Sequence, residues 1–356
     1  MIFLTPAATI RPMWYVVDDV LGIRQLEYNF LPSWWHGTYG IGFGERFFVS
    51  DPDYRIETQR FMDRTVHERF PGLHLGSADP KPQPLGPGWG SATIPSIFGC
   101  EVVFSEDGYP WNRHLPGDEL PRLSLPDDLS TVFPISEIER QMRYVNRKLG
   151  TDAAPLWPSG GVVNTALQLR GPDFFTDWHT DPESASAFLD TIHRLFDRVI
   201  RRNHEACGWH GLLFVACCSV SLAGPKFYVE ALRGYDIALQ ALAMEIGAEF
   251  EIHHCGHFDA FPEAYRPIPR VDFLEVGWKS DVRRALDAFP ESLVQLVINP
   301  VFVSSTPRAE IGDRVDQILE AARGDRHRFS LLVPDLEIGT PEENLYEIYE
   351  RCRRAR

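Results

Sequence analysis

The chain has 356 residues, 44% hydrophobic and 24% charged, so it has ample material for a large core and is not expected to be disordered. Its formal net charge of -15 with no compensating basic run argues against a nucleic-acid or anionic-membrane partner. Six cysteines, two of them adjacent at Cys217 and Cys218, do not resemble a disulfide framework and fit reduced thiols; with no leader-like apolar segment, a cytoplasmic location is expected.

Taken in chain order, residues 28 to 60 are dense in aromatics and glycine, and residues 76 to 97 are rich in proline and glycine without a period. Such stretches read as long functional loops or a cap over the mouth of a domain. From about residue 155 short apolar runs alternate with amphipathic helical patterns. "SGGVVNTALQL" reads as a strand, and "PESASAFLDTIHRLFDRVIRR" reads as a helix, with Phe188, Leu189, Ile192, Leu195, Phe196, Val199 and Ile200 on one stripe and Pro182 at its start. "LLFVACC" is continuous and apolar, as a strand buried on both faces must be. A second helix follows over "PKFYVEALRGYDIALQALAMEIG". Then "EFEIHHC", "DFLEV", "LVQLVI" and "FSLLV" are strand-like, with helical "SDVRRALDAF", "EIGDRVDQILEAA" and "PEENLYEIYERCRR" between or after them. A βα series of this length predicts a parallel sheet with right-handed crossovers. The expected fold is an α/β (β/α)8 TIM barrel, residues 98–356, with residues 1–97 as an extension capping its mouth, together one structural domain.

The stretch "EIHHCGHFDA" holds the densest chemistry. Side chains alternate along a strand, so His253 and Cys255 point to one face and His254 to the other. A His-x-Cys pair at the C-terminal end of a barrel strand aims two good zinc ligands at the mouth, with Gly256 permitting a sharp exit. The competing reading is a pair of buried strand-end residues bonded to their neighbours. Two ligands do not hold zinc; one candidate for a third lies at the end of the preceding strand, Cys217, with Cys218 as the fallback because alternation lets only one face inward, and the alternative is a site that lacks a third ligand. His257, in the following loop, is a further ligand candidate or a pocket base.

Other pocket candidates are fewer. "SWWHGTYG" offers Trp35, His36 and Tyr39 beside Trp34, either as an aromatic wall over a flat or methylated ligand or as a loop anchor. Glu106, beside Asp107, is either a general acid or a solvated turn residue. Asn299, after the strand "LVQLVI", stands where it would hydrogen-bond a substrate.

Six segments in order give the chain a family resemblance: "FGCEVVFSEDGYPW", "DPESASAFLDTI", "GPKFYVEAL", "EIHHCGHFD", "LVINPVFVSSTPRAEIGDRVDQIL" and "TPEENLYEIYE". Together, over roughly residues 98 to 352, they resemble the uroporphyrinogen decarboxylase superfamily, which includes zinc-dependent methyltransferases of corrinoid metabolism. The resemblance implies a (β/α)8 barrel and zinc on His253 and Cys255. That zinc would activate a thiol or other small acceptor for a methyl group from a corrinoid on a partner protein. The third ligand of that family is a cysteine after the last strand; here the segment reads "VPDLEIGTPEEN", and Asp335 is the nearest replacement. Two other functions are weighed: decarboxylation of a tetrapyrrole or other carboxylated substrate, and a non-catalytic corrinoid-binding accessory role. The family's arginine-rich "RQAGRY" signature is absent, which disfavours the true porphyrinogen decarboxylase. The expected partners are a small-molecule substrate, a corrinoid protein and a second copy of the chain.

Overall fold

The computed structural model describes residues 13–18, 20–117, 119–155 and 159–355. Its strands are β1 (Trp14–Val17), β2 (Gln25–Phe30), the two-residue β3 (Val102–Val103) and β4 (Trp111–Asn112), β5 (Leu212–Ala216), β6 (Glu249–His254), β7 (Phe273–Gly277), β8 (Leu293–Val297) and β9 (Phe329–Leu336). Seven form one curled sheet in the order β1-β2-β9-β8-β7-β6-β5, while β3 and β4 pair apart from it. Every neighbour pair in the large sheet is parallel except β1 with β2.

This architecture corrects the expected closed barrel. Among the described residues the sheet is a seven-stranded, mixed half-barrel, and an antiparallel pair occupies one of its edges. The segment "SGGVVNTALQL", expected as a strand, forms a helix over Val162–Arg170. Its buried residues Val162, Val163, Ala166 and Leu169 recur at helical spacing, and the run is short enough for either period to be read into it. Ahead of that helix the chain only brushes β5: the Ala216 N–H donates to the Gly160 carbonyl at 3.2 Å. The strands missing from the βα series had to lie in the first half of the chain; β2 is a parallel strand there, overlapping the start of the aromatic, glycine-rich stretch. β2 lies between β1 and β9, so residues 25–30 are part of the sheet itself.

Elsewhere the periodicity reading matches the chain. The helix Pro182–Cys207 buries all seven stripe residues from Phe188 to Ile200, is capped by the Asp181 side chain and ends on left-handed Gly208. The predicted helix after β5 is broken in three: Val220–Phe227 kinks at Gly224 and Pro225, a π turn follows over Tyr228–Leu232, and Arg233–Glu245 completes it. No helix among the described residues is long and apolar enough to cross a membrane.

The first half of the chain is tied down by one cation. Arg55, in the helix Pro52–Arg69, is fully buried and donates to the Phe47 carbonyl at 2.7 Å, the Leu85 carbonyl at 3.2 Å and Gln141 Oε1 at 3.0 Å. Burial lowers its pKa to about 10. These bonds join the proline-rich loop, the π turn before Asp51 and the helix Ile135–Leu149, so long loops become a fixed layer. Arg55→Met would strand three buried acceptors. Urea unfolding is expected to show a loss of about 3 kcal/mol, and a loss below about 1 kcal/mol would mean that water replaces the guanidinium.

Candidate metal centre

Parallel neighbours share a face, so the register builds a row across the sheet. Ala216 lies opposite His253, His253 opposite Glu275, Glu275 opposite Gln295, and Ser330 pairs with both Gln295 and Gln25. From His253 onward the row is polar, and beyond the half-buried His253 it is buried, with Glu275 only 3% exposed. One step away along β2, on the same face, Glu27 accepts from Gln295 Nε2 at 2.9 Å and from the Gln25 amide.

The next step along β5 and β6 brings Cys218 and Cys255 onto this face. The donor atoms of Cys218, His253 and Cys255 all lie within 4.8 Å of one another. Asn164, from the helix Val162–Arg170, stands beside the trio, its Oδ1 accepting from the Ser219 N–H at 3.4 Å. The neighbouring Cys255 thiol, above all, lowers the Cys218 pKa, while Cys218 and burial raise that of Cys255. His253 Nδ1 stands 2.5 Å from Glu275 Oε1, close enough for a strong charge contact but off the line of an ideal hydrogen bond. Burial works to lower the His253 pKa, but Glu275 and Cys255 together outweigh it and raise it well above the usual value. Glu251, on the same face of β6, joins His253 and Glu275 in a second, carboxylate-rich group.

Two thiols and an imidazole are a soft donor set suited to zinc, and three protein ligands leave a fourth position open, as catalytic zinc requires. Glu275 behind the imidazole has the placement of a carboxylate that fixes the tautomer of a metal-binding histidine. The turn carrying Cys255 is permitted by Gly277, where a Cβ would fall 2.1 Å from the Cys255 carbonyl and 2.4 Å from that of Gly256.

The chain is similar in fold to a methyltransferase from Methanosarcina mazei. The likeness covers 96% of this chain and 93% of that one, with a TM-score of 0.62 and 17% sequence identity, so it bears on the fold alone. No protein-family model matches the sequence. No curated protein matches it either.

The other sequence candidates fall in several places. Cys217 faces the opposite side of the sheet, where its thiol donates to Asp236 Oδ2 at 3.4 Å beside the Tyr228 hydroxyl, which donates to the same oxygen at 2.9 Å. The fallback Cys218, two residues past the end of β5, takes the inward place instead, with its thiol beside His253 and Cys255. His254 also faces the helices, with Nδ1 2.9 Å from the Tyr265 hydroxyl and Nε2 3.2 Å from Ser221 Oγ; burial lowers its pKa to about 4. Asp335 has a positive φ of 54°, rare for a residue with a side chain. Burial, then the charges of Glu337 and Glu275, raise its carboxyl pKa, so it senses the cluster without belonging to the trio.

His257 is exposed and pairs with Asp259 at 3.0 Å. Asn299 Oδ1 caps the helix Pro300–Ser305, accepting from the Val301 and Phe302 N–H groups. Glu106 lies against the backbone of Gly42 and Gly44, where a Cβ on either glycine would meet its carboxylate. Trp35 is fully buried among Phe30, Trp34 and Tyr39, the anchoring arrangement. Tyr39 accepts from Arg69 at 3.0 Å, and His36 Nδ1 bonds the Ile41 carbonyl at 3.0 Å. Beside them a cavity of about 300 Å³ opens between Phe30, Trp34, Arg69, Phe70, Ile338 and Glu342. Glu275, Asn164 and Gly277 were not anticipated. The glutamate inside the apolar run "DFLEV" was the one available signal, since a charge in a strand buried on both faces needs a reason.

The Asp236 network carries a pH dependence. Burial raises the Asp236 carboxyl from its ordinary 3.8 to about 6, although Tyr228 and Cys217 oppose the shift. The fold thus favours the protonated acid. Its contribution is complete below pH 3.8 and is lost as pH rises through about 6, as much as about 3 kcal/mol in all. In Asp236→Asn this loss should vanish. Denaturation series at pH 4 and pH 7 test this; equal pH slopes for both proteins would mean that Asp236 is ionised throughout.

Proposed function

We propose that the chain is a metal-dependent methyltransferase whose zinc is held by Cys218, His253 and Cys255. The observation that carries this reading is the convergence of two thiols and a carboxylate-backed imidazole from adjacent strand ends. The similarity of fold to a methyltransferase supports it. When bound, zinc would hold a small thiol acceptor as its thiolate in the open fourth position. The protein's own groups do the rest. Glu275 keeps His253 Nδ1 engaged, and Asn164, accepting from the Ser219 N–H, steadies the turn that carries Cys218. Cys255 is exposed, so the site opens to an approaching acceptor and to a methyl donor, a corrinoid carried by a partner protein.

Metal analysis tests this directly. Wild type purified with zinc should retain about one ion per chain. Cys218→Ala and Cys255→Ala should lose it, while Cys217→Ala keeps it. Retention of zinc by the double variant Cys218→Ala/Cys255→Ala would exclude the site. Glu275→Ala should weaken zinc binding about 10- to 100-fold, and Glu275→Gln less, as read by competition with a chromophoric chelator.

A further inference from the structure

The same two thiols meet the requirements of a disulfide. Ala216 is paired with His253, and two residues further on, just past the ends of β5 and β6, Cys218 and Cys255 come together on the same side. The Cys217 N–H donates to the His253 carbonyl at 2.8 Å, the last ladder bond before the two chains reach Cys218 and Cys255. Strands side by side in a sheet lie about 4.8 Å apart, inside the roughly 4.4 to 6.8 Å between Cα atoms that a disulfide spans. The two sulfurs already lie within 4.8 Å of each other. Cys255 is exposed and Cys218 partly so, whereas Cys100, Cys217 and Cys352 are buried.

We propose that Cys218 and Cys255 are a reversible oxidation site, closed to a disulfide by peroxide. One thiolate attacks hydrogen peroxide, which breaks the O–O bond, gives a sulfenic acid and releases water. The second thiol attacks that sulfur, the S–S bond forms, and the hydroxyl leaves as a second water. In sum two thiols lose two hydrogens and one peroxide is reduced to two waters. A dithiol reductant reverses it by exchange. Resting on the metal reading above, the consequence is a switch: the disulfide removes two of the three ligands, so the oxidised chain cannot hold zinc and bound zinc protects the thiols.

The test uses the full-length, metal-free protein treated with hydrogen peroxide, alkylated, digested and mapped by mass spectrometry, with a parallel arm in saturating zinc. The expected result is a Cys218–Cys255 cross-linked peptide, a loss of two titratable thiols per chain, reversal by dithiothreitol, and the same outcome in Cys207→Ser, which removes the other exposed thiol. Cys218→Ser should instead leave a sulfenic acid at Cys255 that dimedone traps. A sulfinic acid at Cys255 in wild type, or a cross-link through Cys207, would overturn the proposal. If the disulfide forms equally fast with and without zinc, the oxidation site stands and the metal reading falls. If zinc binds but peroxide yields no Cys218–Cys255 bridge in the metal-free protein, the metal reading stands and this proposal falls.

Discussion

The parallel register of β5, β6 and β7 is the constraint on which the rest of the site depends. It sets Ala216 against His253 and His253 against Glu275, and so carries Cys218 to Cys255 one step on. A slip of one residue in β6 would turn His253 and Cys255 to the helices and bring His254 inward in their place. The opposite face guards against that slip. There His254 bonds Tyr265 and Ser221, while Cys217 and Tyr228 bond Asp236, so each strand end carries polar partners on the side away from the cluster. The adjacent pairs His253-His254 and Cys217-Cys218 thus supply one chemical residue and one anchor each.

The inner face is built against the ordinary preference of a sheet. Gln25, Glu27, Gln295, Glu275, Glu251 and Ser330 are all buried there, and a buried carboxylate without compensation is costly. Glu27 is offset by two amides, and Glu275 by the His253 imidazole, whose own pKa rises in return. A sheet selected only for stability would fill these positions with aliphatic side chains. Retaining paired acids beside a histidine and two thiols is what a polar reaction site in a dry wall requires.

The parts legible in the sequence were those governed by local periodicity. The long helix Pro182–Cys207 and the strands β5 to β9 follow from spacing, and alternation alone put His253 and Cys255 together and His254 apart. Alternation also showed that only one of Cys217 and Cys218 faces inward, but not which, because the choice depends on where β5 begins and how far its ladder runs. Glu275 lies on the next strand, and only the pairing of β6 with β7 reveals that it backs His253. Sheet closure was beyond local reading too, since it is set by how the two edges meet. β2 was hidden because its buried sequence "QLEYNF" mixes polar inner-face residues with aromatics, unlike the aliphatic runs that mark the other strands.

The failure of the barrel to close where expected bears on the chemistry. Had residues 159–169 formed a strand beside β5, Asn164 would have been held in a ladder. As the third residue of a helix that starts just after the Gly160–Gly161 contact with Ala216, Asn164 reaches across the end of β5. Its Oδ1 accepts from the Ser219 N–H at 3.4 Å, next to Cys218. Gly161 is needed for this approach, because a Cβ there would sit 2.5 Å from the Ala216 carbonyl. A strand would have completed the sheet's hydrogen bonding. The helix instead ties down the turn that carries the inward cysteine, and so holds the thiol in place before any ligand binds.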